Sequence, residues 1–120
     1  MEKILAVTTH ATNDQTKSSL AFITALGALG AGKEAAIALL GEGAYLTKEA
    51  IAKSVRGVGF EPLTEYIAKV VEGKVPVYVW GPCAAARGVT EEDLKSLNAT
   101  LIDHIKFANL VSESNVVTFW

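Results

Sequence analysis

Five short apolar runs, Ile4–Thr8, Ala35–Leu40, Val75–Trp80, Ala99–Ile102 and Val116–Trp120, punctuate the chain at intervals too long for hairpins. Strands separated by helix-length connections pair in parallel, because a parallel crossover needs a dozen or more residues and normally spends them on a helix. The alternation therefore predicts a three-layer α/β/α sandwich around a mostly parallel five-stranded sheet, with helices on both faces. At 120 residues the chain is large enough for one hydrophobic core and not for two, so 1–120 reads as a single domain.

The connecting segments carry helix starts and stops. A polar loop, His10-Ala-Thr-Asn-Asp14, offers Thr12, Asn13 and Asp14 as N-caps for a helix from about Gln15 to Ala31, stopped by Gly32. The middle of that helix, Leu20 to Leu29, is apolar nearly all the way round. Such a helix is buried on more than one side, which points to a subunit interface as well as sheet packing, or else it is simply rich in alanine. Thr47 is placed to cap a short helix to about Val55. Glu61 and Pro62 open another, with Leu63, Tyr66, Ile67, Val70 and Val71 on one face and Gly73 as its stop. Thr90-Glu-Glu-Asp93 is a capping box for a helix to about Ser96, and a last helix spans about Asp103 to Val111.

Composition removes several classes of function. A net charge of −2 leaves no basic surface for a phosphate backbone, so nucleic acid is not expected as a partner. One cysteine forms no internal disulfide and suits a reducing, cytoplasmic setting. Met1-Glu-Lys3 runs straight into a strand with no signal-peptide pattern. The longest uncharged stretch, Ser18–Gly32, is shorter than the roughly 20 residues a membrane span needs. The chain is expected to be soluble, with no membrane association. His10, His104 and Cys83 are the only soft metal ligands and lie far apart in sequence, so neither a metal nor another cofactor is expected.

Two glycine clusters need separating from phosphate loops. Gly27-Ala-Leu-Gly-Ala-Gly32-Lys33 resembles one, but Glu34 stands where the magnesium-binding hydroxyl belongs. The segment also ends a helix, whereas a phosphate loop follows a strand and opens a helix. Gly41-Glu42-Gly43 lacks the third glycine of a dinucleotide fingerprint and reads as a turn. It does lie at a strand's C-terminal end, the usual ligand edge of a parallel sheet, where Glu42 and Tyr45 can rim a shared cleft.

The same edge holds the single cysteine. Gly81 and Pro82 stop the third strand, Cys83 stands at its exit, and Ala84-Ala85-Ala86-Arg87 makes one helical turn closed by Gly88. A free cysteine often merely packs. At a helix start, however, unpaired amides and the partial positive charge stabilise a thiolate. Arg87, one turn on, either adds a cation or caps the turn. Ala84 and Ala85 are small enough to admit a bulky sulfur-bearing partner. His10 ends the first strand on the same sheet edge, leaving a contact with Cys83 open.

The stretch Val77-Tyr-Val-Trp-Gly-Pro-Cys-Ala-Ala-Ala-Arg-Gly-Val-Thr-Glu-Glu-Asp-Leu94, with Gly41-Glu-Gly-Ala-Tyr-Leu46, resembles the DsrE/DsrF-like sulfur-relay family, which includes the YchN-like and TusD-like proteins; the likeness runs from the first strand to the last. The resemblance implies a cytoplasmic sulfur carrier. Its cysteine, which maps onto Cys83, takes sulfane sulfur as a persulfide from a donor protein and passes it to an acceptor thiol. It also implies a homo-oligomer, trimer or hexamer. With one cysteine in the chain, both transfers must run between molecules. A second function class is a non-catalytic oligomeric binding or regulatory subunit that uses the same sheet-edge pocket for a small molecule. Modification of Cys83 by sulfur donors separates the two.

Overall fold

The computed structural model describes residues 2–120. Its five strands, β1 (Lys3–Thr8), β2 (Glu34–Leu39), β3 (Val77–Trp80), β4 (Ala99–Ile102) and β5 (Asn115–Phe119), form one sheet in the order β4-β3-β2-β1-β5. Every pairing is parallel. The six helices are α1 (Gln15–Gly30), α2 (Glu49–Ala52), α3 (Leu63–Glu72), α4 (Gly81–Ala86), α5 (Glu91–Ser96) and α6 (His104–Ser112). The chain steps outward from β1 through β2 and β3 to β4, then returns through α6 to place β5 on the other side of β1. This is the α/β/α sandwich that the strand–helix alternation predicts.

Two cores follow from the period-2 geometry of the strands. On one face Ile37, Leu39, Val77 and Val79 pack against Phe22, Leu46, Leu63 and Val70 from the helical layer. On the other, Leu5, Val7, Ala36 and Ala38 meet Leu110 and Phe107 of α6. Trp80 belongs to this second face, its ring centroid 5.3 Å from that of Phe107.

Asp14 caps helix α1 by accepting from the Lys17 amide, and the helix lies between strands β1, β2 and β5 and helix α3. Its apolar circumference is thus largely consumed inside the chain: Phe22 and Ala25 are fully buried, and of its large apolar side chains only Leu29 stands exposed. Packing on α3 and the sheet accounts for much of the apolar surface of α1, while Leu20, Ile23 and Leu26 remain half-buried. Exposed apolar side chains also occur on the opposite side, where α6 is the one covering helix. They include Ile105 (63 % exposed) and Val111 on α6, and Val116 on the edge strand β5.

The capping box forms as written: Thr90 Oγ1 accepts from the Asp93 amide, and Asp93 Oδ2 accepts from the Thr90 amide. Thr47 is no helix cap. Residues Gly41–Thr47 wind into a 3-10 helix, the Thr47 hydroxyl donates to the Ala44 carbonyl within it, and Lys48 is the N-cap of the four-residue α2. Strand β3 begins at Val77 and not at Val75, because the Val75 amide is already spent on the Val70 carbonyl in closing α3 and Pro76 has no amide to give. The glycine-rich segment before β2 ends α1, with Lys33 paired to Glu2 at 3.0 Å.

Candidate functional site

Strands β2 and β3 are parallel neighbours, so their C-terminal ends deliver residues 41 and 83 to one place although 42 positions separate them. Helix α4 starts at Gly81, ahead of the Ala84–Arg87 turn that the sequence suggests. Trp80 is its N-cap, Pro82 occupies the first turn and Cys83 is the third helical residue. Proline is compatible there because first-turn amides have no intrahelical acceptor. Cys83 is half-buried, and its Sγ accepts a hydrogen bond of 3.2 Å from the Gly41 amide. The donor that reaches the sulfur is therefore an amide of the neighbouring 3-10 helix, whereas the helix-start position of Cys83 predicts donors from its own helix.

Two glycines make this approach possible. Gly41 has φ +55°, in the left-handed region that favours glycine, and starts the 3-10 helix. Gly43 is buried, and a Cβ built there would stand 2.6 Å from the Thr8 carbonyl oxygen, closer than any side chain tolerates. The 3-10 helix can lie this near β1 only without a side chain at 43.

Arg87 and Glu42 span the same junction. The guanidinium donates from Nη2 and Nε to Glu42 Oε1, at 2.6 and 3.1 Å, and from Nη1 to the Cys83 carbonyl at 3.2 Å. The Tyr45 ring lies 5.6 Å from its central carbon, in cation–π range. The hydrogen bond to Glu42 raises the Arg87 pKa above its ordinary value against a smaller opposing cost of burial, so the guanidinium stays charged. Behind it, the Lys48 ammonium donates to the Gly88 carbonyl (2.8 Å) and Asp93 (2.9 Å), tying the start of α2 to the loop that leaves α4.

The structure thus gathers Cys83, Arg87, Gly41, Glu42, Gly43 and Tyr45. Gly81 sits against the end of β4, where an added Cβ would lie 3.4 Å from the Ile102 carbonyl. Pro82 and Ala85 are exposed beside the cysteine, while Ala84 is buried in the core and leaves no room for a partner on its side. His10 lies at the same sheet edge, but its Nδ1 is engaged with the Asn13 side-chain amide at 2.8 Å, and no hydrogen bond joins it to Cys83. His104 is exposed in the first turn of α6. Among the described residues no three His, Cys, Asp or Glu side chains come together as a metal site.

Sequence reasoning missed the Gly41 amide as the sulfur's partner and the Lys48 tie. A backbone donor leaves no side-chain signature. The left-handed glycine at the end of β2 is the single trace of it.

The DsrE/DsrF-like family model matches residues 2–119. The uncharacterized protein MJ0989 of Methanocaldococcus jannaschii is 37 % identical over 120 residues, covering 98 % of this chain and 99 % of its own. Among solved structures, the ychN protein of E. coli superimposes with a TM-score of 0.73 at 16 % identity, over 99 % of this chain and 100 % of its own. A conserved protein of unknown function from Bacteroides thetaiotaomicron, BT1422, gives 0.70 at 16 % identity, over 98 % and 94 %. These two establish the fold alone, whereas the family model spans nearly the whole sequence, cysteine turn included. The chain belongs to the DsrE/DsrF-like family.

Proposed function

We propose that the protein is a cytoplasmic sulfur-relay component in which Cys83 carries sulfane sulfur as a persulfide. The observation that carries this reading is the Gly41 amide on the Cys83 sulfur at 3.2 Å, at the C-terminal edge of a parallel sheet. An N–H donor on sulfur favours the thiolate, which is the nucleophile of sulfur exchange. Family membership supports the relay role.

In the first step the Cys83 thiolate attacks the outer sulfur of a donor persulfide. The donor's S–S bond breaks, the donor leaves as a thiolate, and Cys83 holds S–SH. In the second, an acceptor thiolate attacks that outer sulfur and Cys83 is released as a thiolate. One sulfur atom moves, no net oxidation occurs, and neither step requires a cofactor. Donor and acceptor thiols come from other molecules, because Cys83 is the one cysteine in the chain. Further copies of the chain are also proposed as partners, in a trimer or hexamer. The exposed apolar side chains Ile105, Val111 and Val116 supply a surface for them.

Transfer is tested by loading the protein with polysulfide, removing the excess, and adding a small acceptor thiol. The reading expects sulfur to leave Cys83 and a persulfide to appear on the acceptor, with Cys83→Ser inactive in both. Retention of the sulfur on Cys83 in the presence of acceptor would overturn the relay step.

A further inference from the structure

We infer that Glu42 and Arg87 are positioning residues that hold the Gly41 amide against the Cys83 sulfur, and that this placement outweighs the charge of Arg87 in their effect on the thiol. The inference deepens the sulfur-carrier reading and rests on it for its functional consequence. Its geometric content stands independently.

The connectivity carries the argument. Glu42 directly follows Gly41, the donor to the sulfur, and Arg87 donates to the carbonyl of Cys83 itself. The bonds of Arg87 to Glu42 therefore close a ring. It runs from the Gly41 amide to the sulfur, along Cys83 to its carbonyl, through the guanidinium to Glu42, and back to Gly41. All three guanidinium nitrogens are committed within this ring, and the Tyr45 ring lies beside it. The Arg87 side chain is 21 % exposed, so the fork is held in place and not swept through solvent. The Arg87 charge does reach Cys83, as one of the smaller contributions to the raised Arg87 pKa, and the Glu42 carboxylate at 2.6 Å offsets part of that field. Lysine could not replace this arrangement, because a single ammonium does not present the planar fork that reaches both Glu42 and the Cys83 carbonyl.

Position and charge give opposite expectations. If Arg87 acted by charge, Glu42→Ala would free its field and speed alkylation of Cys83, while Arg87→Ala would slow it. If the pair positions Gly41, both substitutions act in the same direction. Glu42→Gln, which keeps the acceptor oxygen, restores the wild-type behaviour, and Arg87→Lys does not.

Two readouts on the full chain decide between them. The first is the Gly41 amide resonance and its hydrogen-exchange rate in 15N-labelled protein, which require no sulfur chemistry. The second is the rate of Cys83 alkylation by iodoacetamide at neutral pH. The clamp predicts that Glu42→Ala and Arg87→Ala each shift the Gly41 resonance, accelerate its exchange and slow alkylation about 3- to 10-fold, the range expected for loss of one hydrogen bond. The double variant should go no further than either single one. A Glu42→Ala protein that alkylates faster than wild type, or a Gly41 resonance unmoved in both alanine variants, would overturn it. The conservative Glu42→Gln and Arg87→Lys variants keep the comparison available should an alanine variant fold poorly. Should wild type take up no sulfur, the carrier reading fails while the Gly41 resonance still reports on the clamp.

Discussion

The amide of Gly41 and the sulfur of Cys83 meet at 3.2 Å, across the C-terminal ends of two adjacent parallel strands. Everything around that bond serves to bring a 3-10 helix and a short α-helix close together. Glycines at 41 and 43 remove the side chains that would obstruct it, Arg87 and Glu42 bridge the two elements, and Lys48 holds the next turn.

The closest backbone approach gives the first prediction. Gly43→Ala places a methyl 2.6 Å from the Thr8 carbonyl, so the 3-10 helix must move away from β1. Overpacking of this kind costs about 1–3 kcal/mol. Gly41→Ala meets no neighbour closer than 3.8 Å and suffers only the left-handed torsion, about 1 kcal/mol, which Asn tolerates better. Urea denaturation should rank Gly43→Ala below Gly41→Ala, with Gly41→Asn nearest wild type. Equal midpoints for all four proteins would refute the close approach.

Acid should act on the loop behind the site. Asp93 accepts from the Thr90 amide and, as the next contribution, from the Lys48 ammonium, which together hold its carboxyl below the ordinary value of 3.8. The unfolded chain then binds a proton that the folded chain resists. The stabilisation is complete above the ordinary carboxylate range and is lost as pH falls through the lowered folded value. Asp93→Asn should flatten this part of the acid limb in urea midpoints measured from about pH 6 to pH 3. Thr90→Ala removes the other half of the capping box and should cost about 1 kcal/mol at neutral pH. An acid limb identical in Asp93→Asn and wild type would contradict the assignment.

Assembly is predicted to use the α6 side of the sheet. Ile105 and Val116 are exposed there, whereas α1 packs on β-strands and α3. Sedimentation velocity should show wild type as a trimer or hexamer and the double variant Ile105→Lys, Val116→Lys as smaller species. A monomeric wild type would contradict the proposal outright, and an unchanged assembly in the double variant would move the interface elsewhere.

Much of this molecule is legible in its residues, and the failures have a common cause. The sheet follows from five apolar runs spaced by helices, and β4 and the Thr90–Asp93 cap depend only on neighbours in sequence. Cys83 and Arg87 sit one helical turn apart, so their association could be read directly. What escaped involves partners remote in sequence or atoms of the backbone. The cover that α3 places over α1 is tertiary, the sulfur's donor is an amide, and Thr47 chose an acceptor inside a 3-10 helix over a capping role. Gly81 and Pro82 do end β3 at Trp80, and the fixed φ and missing amide of Pro82 also suit the first turn of α4, which starts earlier than the alanines alone suggest.

Intact-mass spectrometry after incubation with polysulfide tests the central claim most directly. The account predicts mass gains in steps of one sulfur atom on the wild-type protein, reversed by a reductant and absent from Cys83→Ser. A wild-type protein that gains no sulfur, and whose Cys83 resists an alkylating agent in the folded state, would contradict it and leave a packed thiol in a binding or regulatory subunit.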